Sequence, residues 1–221
     1  MAFPNWAKNI LFLLVFMISG LILVIVIEGL LSGTELIPLN TAIEQVIVRV
    51  RTPFLTTLLV FVTRLGEPFV LASTAALIAA VRFVRGRYYE AALLIIAMLV
   101  SVISLTILKN TFQIARPISD IYNTDGWSFP SGHATVATAF FFMLAHSFFG
   151  KMKTAGNKVL LILGSILGIV SISFSRLYLG AHWTLDVLAG IALGLLSVSF
   201  TVLVFNIFVE NRRSLRNRIN S

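Results

Sequence analysis

A chain of 221 residues that is 58% hydrophobic and only 12% charged, with 18 phenylalanines, has more apolar surface than a soluble domain of this size can bury. Cysteine is absent, which excludes a disulfide framework, a thiolate nucleophile and a thiolate metal site. The formal charge of +8 then needs a partner that a membrane protein would meet.

Runs of about 17 to 25 apolar residues are long enough to cross a bilayer as helices. Taken in chain order they fall at 10–31, 67–84, 89–108, 135–149, 159–174 and 183–208. The expected fold class is therefore all-α, a bundle of six transmembrane helices. The first run is not read as a signal peptide, because the 18 residues from Ile10 to Ile27 run without a charge, exceed the usual hydrophobic region of one, and have no small-x-small cleavage site after them. No internal repeat, low-complexity tract or flexible linker divides the chain, so residues 1–221 are expected to form a single domain.

Between the first two spans, Ile43, Val46, Ile47 and Val50 recur at i, i+3, i+4 and i+7, with Glu44, Gln45, Arg49 and Arg51 on the other side. That pattern predicts an amphipathic helix lying at the membrane interface. Pro53 restarts the chain, the stretch 54–63 is too short to span, and Gly66 and Pro68 punctuate the residues just beyond it. The alternative is one long kinked helix over 54–82, since proline can bend a membrane helix without ending it. Either arrangement can form a wall beside a lipid access path.

Orientation is set by the cations, which collect in short cytoplasmic loops. An inside N-terminus places Lys8, Arg82, Arg85, Arg87, Lys151, Lys153, Lys158, Arg212, Arg213, Arg216 and Arg218 in the cytoplasm, eleven of the 17 basic residues. Both termini are then cytoplasmic. The tail carrying Arg212 to Arg218 adjoins a span, so anionic lipid headgroups are its expected partner, and no nucleic acid or obligate protein partner is implied.

The remaining cations are Arg49, Arg51 and Arg64, with Lys109, Arg116 and Arg176, which belong to three polar islands expected on the opposite, extracytoplasmic face. Ionisable groups beside a span are costly and are read as functional. In the first island Lys109 and Arg116 are seven residues apart, and Pro117 biases Arg116 toward extended backbone just past the helix end, so two cations converge on one pocket. In the second, Pro130-Ser131-Gly132-His133 opens a span. Ser131 can cap the helix, Gly132 lets an anion approach the backbone, and free N–H groups with the helix dipole attract phosphate. In the third, Ser175-Arg176 closes a span, and His182 and Asp186 stand at i and i+4. A carboxylate so placed can hold one imidazole nitrogen and leave the other to a substrate. This is the orienting half of a triad.

Together, Lys109-x6-Arg116-Pro117, Pro130-Ser131-Gly132-His133 and Ser175-Arg176-x5-His182-x3-Asp186 resemble the three-part phosphatase signature of the type 2 phosphatidic acid phosphatase superfamily. Matched order and spacing across three parts are more specific than any one of them, and with their flanking helices they cover about half of the chain. Members of that family include membrane lipid phosphatases, glucose 6-phosphatase and the vanadium haloperoxidases. The resemblance implies that His182 is the nucleophile, forming a phosphohistidine, with Asp186 orienting it. His133 is implied to protonate the leaving oxygen and then activate water. Lys109, Arg116 and Arg176, with Ser131 and the Gly132 N–H, are implied to cradle the phosphate oxygens.

Phosphoryl transfer needs positioning and charge stabilisation, which such a cradle supplies, so no cofactor and no metal are expected. A two-metal phosphatase needs a cluster of carboxylate and histidine ligands, whereas the acids near the islands are Asp120, Asp125 and Asp186. Asp120, Asn123 and Asp125 lack the spacing and closing glutamate of a calcium loop and are read as a polar loop shaping the headgroup site. Tyr122, Trp127 and Phe129 in that loop are expected at the bilayer interface, and His146 is given no chemistry.

A phosphate site at helix ends suits an amphiphile whose phosphate lies at headgroup depth, so a lipid phosphate is the expected substrate, in the plasma membrane. Resemblance to the bacterial branch implies phosphatidylglycerol phosphate or undecaprenyl diphosphate, and both stay open. The haloperoxidases are soluble, unlike this chain. A transporter would place polar residues near several midplanes, where this chain has little beyond Ser and Thr. A catalytically dead lipid-binding relative would not need both histidines and all three cations.

Overall fold

In the computed structural model, residues 5–32, 36–119, 121 and 125–219 are described, and they form eight helices and no strand. The helices are α1 (Asn5–Ser32), α2 (Leu36–Arg49), α3 (Pro53–Leu65), α4 (Pro68–Val84), α5 (Tyr88–Phe112), α6 (Gly132–Phe149), α7 (Ala155–Tyr178) and α8 (Thr184–Ile219). Five of them, α1, α5, α6, α7 and the 184–208 part of α8, are long and apolar enough to cross a membrane. Each coincides with an expected run. Asp120, Tyr122 and Asn123, assigned above to the polar loop, lie outside the described residues, and so do the side chains of Arg212, Arg213, Arg216 and Arg218.

The expected span 67–84 needs revision. Its helix, α4, has 17 residues and qualifies as a span only when joined to α3, from which it is bent by 44°. Thr52 starts α3 by accepting a hydrogen bond from the Leu55 N–H, with Pro53 at the first helical position. The break falls at Gly66, where α3 ends and a glycine is required by space: a Cβ there would lie 2.6 Å from Ile172 on α7. The arrangement is closer to the kinked-helix alternative than to two independent elements.

The expected amphipathic helix is α2, but its inward face is narrower than the sequence pattern. Ile47 is buried with Leu59, Tyr178 and Leu179, and Ile43 packs beside them, while Val46 and Val50 are exposed. Two polar contacts tie this region to the bundle. Buried Asn40 accepts a hydrogen bond from the Leu185 N–H through its Oδ1 at 3.1 Å, satisfying an open donor at the start of α8. Arg51 donates through Nε to the Tyr178 carbonyl at 3.1 Å.

Helix α8 is the centre of the bundle, packed by α1, α5 and α6. Its approach to α6 depends on Gly190 and Gly194, four residues apart. A Cβ on Gly190 would lie 2.7 Å from the Ser131 carbonyl oxygen, and one on Gly194 would lie 2.7 Å from that of Thr135. Small residues at this spacing let two membrane helices meet backbone to backbone. The C-terminal ends of α5 and α7 and the N-terminal ends of α6 and α8 thereby meet at one end of the bundle.

Candidate active site

The chain reverses after α5 at Gln113, which adopts a left-handed conformation (φ 47°) while its N–H closes on the Lys109 carbonyl. The described residues between α5 and α6, notably 114–119 and 125–131, then lie across the α7–α8 connection as a strap. Ser128 N–H donates to the Ile114 carbonyl at 2.7 Å, Trp183 Nε1 donates to the Ala115 carbonyl at 3.1 Å, and Ser119 Oγ donates to the Leu179 carbonyl at 2.8 Å. Phe129, expected at the bilayer interface, is instead fully buried and stacks edge-on against Phe112 at 5.4 Å. Its ring anchors the strap from within. Trp127 is exposed.

The α7–α8 connection turns at Gly180 (φ 66°), where a Cβ would meet Ser119 Oγ at 2.9 Å. That turn sets Arg176, in the last turn of α7, close to His182 and Asp186 at the start of α8. All eight residues assigned to the site from sequence come together here. Arg116 donates through Nη1 to the Ala181 carbonyl at 2.8 Å and reaches His182 Nε2 at 3.2 Å, while Nε and Nη2 donate to the carbonyls of Gly126 and Asp125. Lys109 Nζ donates to the Trp127 carbonyl at 2.5 Å. Ser131 N–H donates to the Asp186 carbonyl at 2.9 Å, which fixes the start of α6 to the start of α8. His133 lies within electrostatic reach of Arg176, His182, Arg116 and Lys109.

A guanidinium has donors only, so the Arg116 contact makes His182 Nε2 the acceptor and leaves the proton on Nδ1. Nδ1 faces Asp186 Oδ2 at 3.4 Å. The i, i+4 spacing sets the carboxylate beside Nδ1, at a separation long for a hydrogen bond, while Nε2 points toward Arg116. Asp186 Oδ2 also accepts the Trp183 N–H at 2.8 Å. His182 is 4% exposed, and this burial lowers its pKa from the usual 6.5 to about 4, although the hydrogen bond and charge of Asp186 oppose the shift. The imidazole is thus neutral near pH 7, the form a nucleophile needs. Burial likewise lowers the pKa of Arg116, against the charges of Asp186 and Asp125.

The sign of the His182 shift gives a stability prediction. The unfolded chain binds a proton at this residue between about pH 6.5 and 4 while the folded chain does not, so stability should fall on acidification through that window, by up to about 3 kcal/mol. Thermal unfolding of the detergent-purified protein should show this slope, and His182→Gln should lessen it by the His182 share.

Two features differ from expectation. Ser131 occupies the N-cap position of α6, but its hydroxyl accepts no N–H from the first turn, so the expected capping bond is absent. Ser131 Oγ is thereby buried without a hydrogen-bond partner, and so is His133 Nε2. Leaving such atoms unpaired costs about 1 to 3 kcal/mol each, which a bound acceptor or donor would recover. At Gly132, a Cβ would come no nearer than 3.5 Å to Leu105, so packing does not demand glycine there. The missing side chain leaves the backbone open to a ligand.

Sequence reasoning missed several residues of the site. Thr63 on α3, fully buried, accepts a hydrogen bond from Arg176 Nη1 at 2.8 Å and so brings the broken α3–α4 pair to the anion site. Ser128, also fully buried, contacts both His182 and Asp186. Single hydroxyls in apolar context have no periodicity to reveal them. The Gly190-x3-Gly194 spacing, by contrast, is a readable signal of close helix approach. Among the described residues, no group of three or more His, Asp or Glu is placed to hold a metal ion.

The fold and site define a helical protein with several spans and a cluster of cations and histidines at one end of its bundle. A family model, the PAP2 superfamily, matches residues 90–210, which takes in all three islands. The chain belongs to the PAP2 superfamily. It is 28% identical over 164 residues to a phosphatidylglycerophosphatase B from Bacillus subtilis, covering 71% of this chain and 78% of that one. It is 31% identical over 173 residues to an undecaprenyl-diphosphatase from Sulfolobus acidocaldarius, covering 75% and 78%. The crystal structure of a transmembrane PAP2-type phosphatidylglycerolphosphate phosphatase from Bacillus subtilis shares the fold, with a TM-score of 0.72 and 23% identity over 90% of this chain and 96% of that one.

Proposed function

We propose that this protein is a membrane lipid phosphatase that acts through a phosphohistidine. The observation that carries the reading is the set of cations, Lys109, Arg116 and Arg176, gathered around a neutral His182 whose Nε2 faces them, with Ser131 Oγ and His133 Nε2 left unpaired beside it. A phosphate dianion would satisfy all of these groups at once. In the resting site Arg116 occupies the Nε2 lone pair; a phosphate oxygen is the stronger acceptor and draws the guanidinium away from the nucleophile.

His182 Nε2 then attacks phosphorus as the bond to the leaving oxygen breaks. His133 supplies that oxygen with a proton. Asp186 stabilises the charge developing on the His182 ring, and Lys109, Arg116, Arg176, Ser131 and the Gly132 N–H stabilise the equatorial oxygens. In the second half-reaction water attacks the phosphohistidine, His133 takes its proton, and inorganic phosphate leaves with His182 restored.

We read α1, α3–α4, α5, α6, α7 and α8 as six crossings of one domain, with α2 at the interface and both termini in the cytoplasm. The basic loops between α4 and α5 and between α6 and α7 support that orientation, in which the pocket opens on the extracytoplasmic side of the plasma membrane. The names of the relatives support phosphatidylglycerol phosphate or undecaprenyl diphosphate as the substrate. The test is phosphate release by the purified protein from a panel of lipid monophosphates and diphosphates. Turnover of at least one lipid is expected, unchanged by EDTA and inhibited by vanadate. Loss of turnover on chelation would overturn the metal-free mechanism, and hydrolysis of water-soluble phosphates alone would overturn the lipid assignment.

A further inference from the structure

We propose that Ser128 is a positioning residue of the His182–Asp186 pair, its hydroxyl donating to Asp186 Oδ2 while its oxygen accepts the Nδ1 proton of His182. At 3.4 Å the histidine–carboxylate contact is long for an N–H···O bond and leaves room for a second acceptor of the Nδ1 proton. Ser128 Oγ lies 3.3 Å from His182 Nδ1 and makes a short hydrogen bond to Asp186 Oδ2. With its single proton committed to the carboxylate, the hydroxyl can offer Nδ1 only a lone pair, and so favours the tautomer that leaves Nε2 bare. Two long contacts to Nδ1, from Asp186 and Ser128, are tied together by the short Ser128–Asp186 bond.

The hydroxyl is itself held. The Ser128 N–H is bonded to the Ile114 carbonyl, and the next residue, Phe129, is buried against Phe112. Ser128 comes from the strap between α5 and α6, 54 and 58 positions from its partners. Because Nε2 faces Arg116 and Nδ1 faces Ser128, the serine lies on the ring edge away from the cations and touches no reacting atom. Its effect must pass through the orientation of His182. The charged and titratable groups around that ring are Asp186, Arg116 and Arg176, with Lys109 and His133 acting at longer range.

The catalytic consequence rests on the phosphatase reading above, so the test has two independent readouts. With the lipid phosphate turned over fastest by the wild type, Ser128→Ala should lower kcat about 10- to 100-fold. KM should stay within about twofold and Ser128→Thr should restore much of the rate, because the cradle is untouched and the hydroxyl is what matters. In parallel, imidazole 15N NMR of the three-histidine protein, with the His182 signal identified by its loss in His182→Gln, should show Nδ1–H as the single tautomer in wild type and a tautomer mixture in Ser128→Ala. An unchanged kcat, a KM rise that accounts for the whole loss, or an unchanged His182 tautomer would each overturn the proposal. If the wild type releases no phosphate from any lipid, the phosphatase reading fails while the NMR comparison still decides the role of Ser128.

Discussion

His182→Ala should abolish phosphate release, with a loss of at least about 10³-fold in kcat, and should remove any acid-labile phosphoenzyme trapped during turnover. The size of the effect comes from the division of labour in the pocket. In the proposed mechanism the cations, Ser131 and the Gly132 N–H bind and polarise the phosphate, and His182 Nε2, buried and facing Arg116, takes the phosphoryl group. Alanine leaves the cradle in place, so direct binding of inorganic phosphate should persist in the variant. Full activity of purified His182→Ala would sink the phosphohistidine mechanism, and a labelled intermediate in that variant would move the nucleophile elsewhere.

The second large effect is expected far from any charge. Gly190→Val should cost both stability and activity, because even a single Cβ at this position would stand 2.7 Å from the Ser131 carbonyl oxygen and 2.9 Å from Ala134 Cβ. Neither neighbour can swing aside: one is backbone and the other is fixed to it. Overpacking of this kind costs about 1 to 3 kcal/mol or more. The displaced element carries Ser131 and His133, whose register on α8 depends on the Ser131 N–H to Asp186 carbonyl bond. A shift of about 1 Å there can cost about 100-fold in rate. Thermal midpoint and kcat should therefore fall together in Gly190→Val. In Gly164→Ala, where the added Cβ meets nothing within 4 Å, neither should fall. Wild-type activity in Gly190→Val would show that α6 and α8 need not meet as closely as they do.

That His182 and its seven companions would gather at one end of the bundle was legible in the sequence, because costly ionisable groups stand out against apolar spans and fall at the ends of the helices. Five spans were legible because bilayer thickness sets their length. The α3–α4 pair was harder to read: its break depends on how closely Gly66 meets Ile172, a contact between residues more than a hundred positions apart. Val46 and Val50 fit the periodicity of an inward stripe, yet only Ile43 and Ile47 found helices to cover them. Phe129 looked like an interfacial aromatic because composition cannot distinguish a ring at the headgroups from one folded under its own loop.

Local composition and fixed spacing within single helix ends were enough for the class of fold, the positions of most spans and the chemical groups of the pocket. Tertiary packing was needed to lean Arg176 on Thr63, to close the His182–Asp186 pair with Ser128, to leave the Ser131 hydroxyl uncapped and to rest Arg116 on His182. Each of these features depends on how distant segments meet, and that geometry is set by how closely the helices pack, which no single segment encodes.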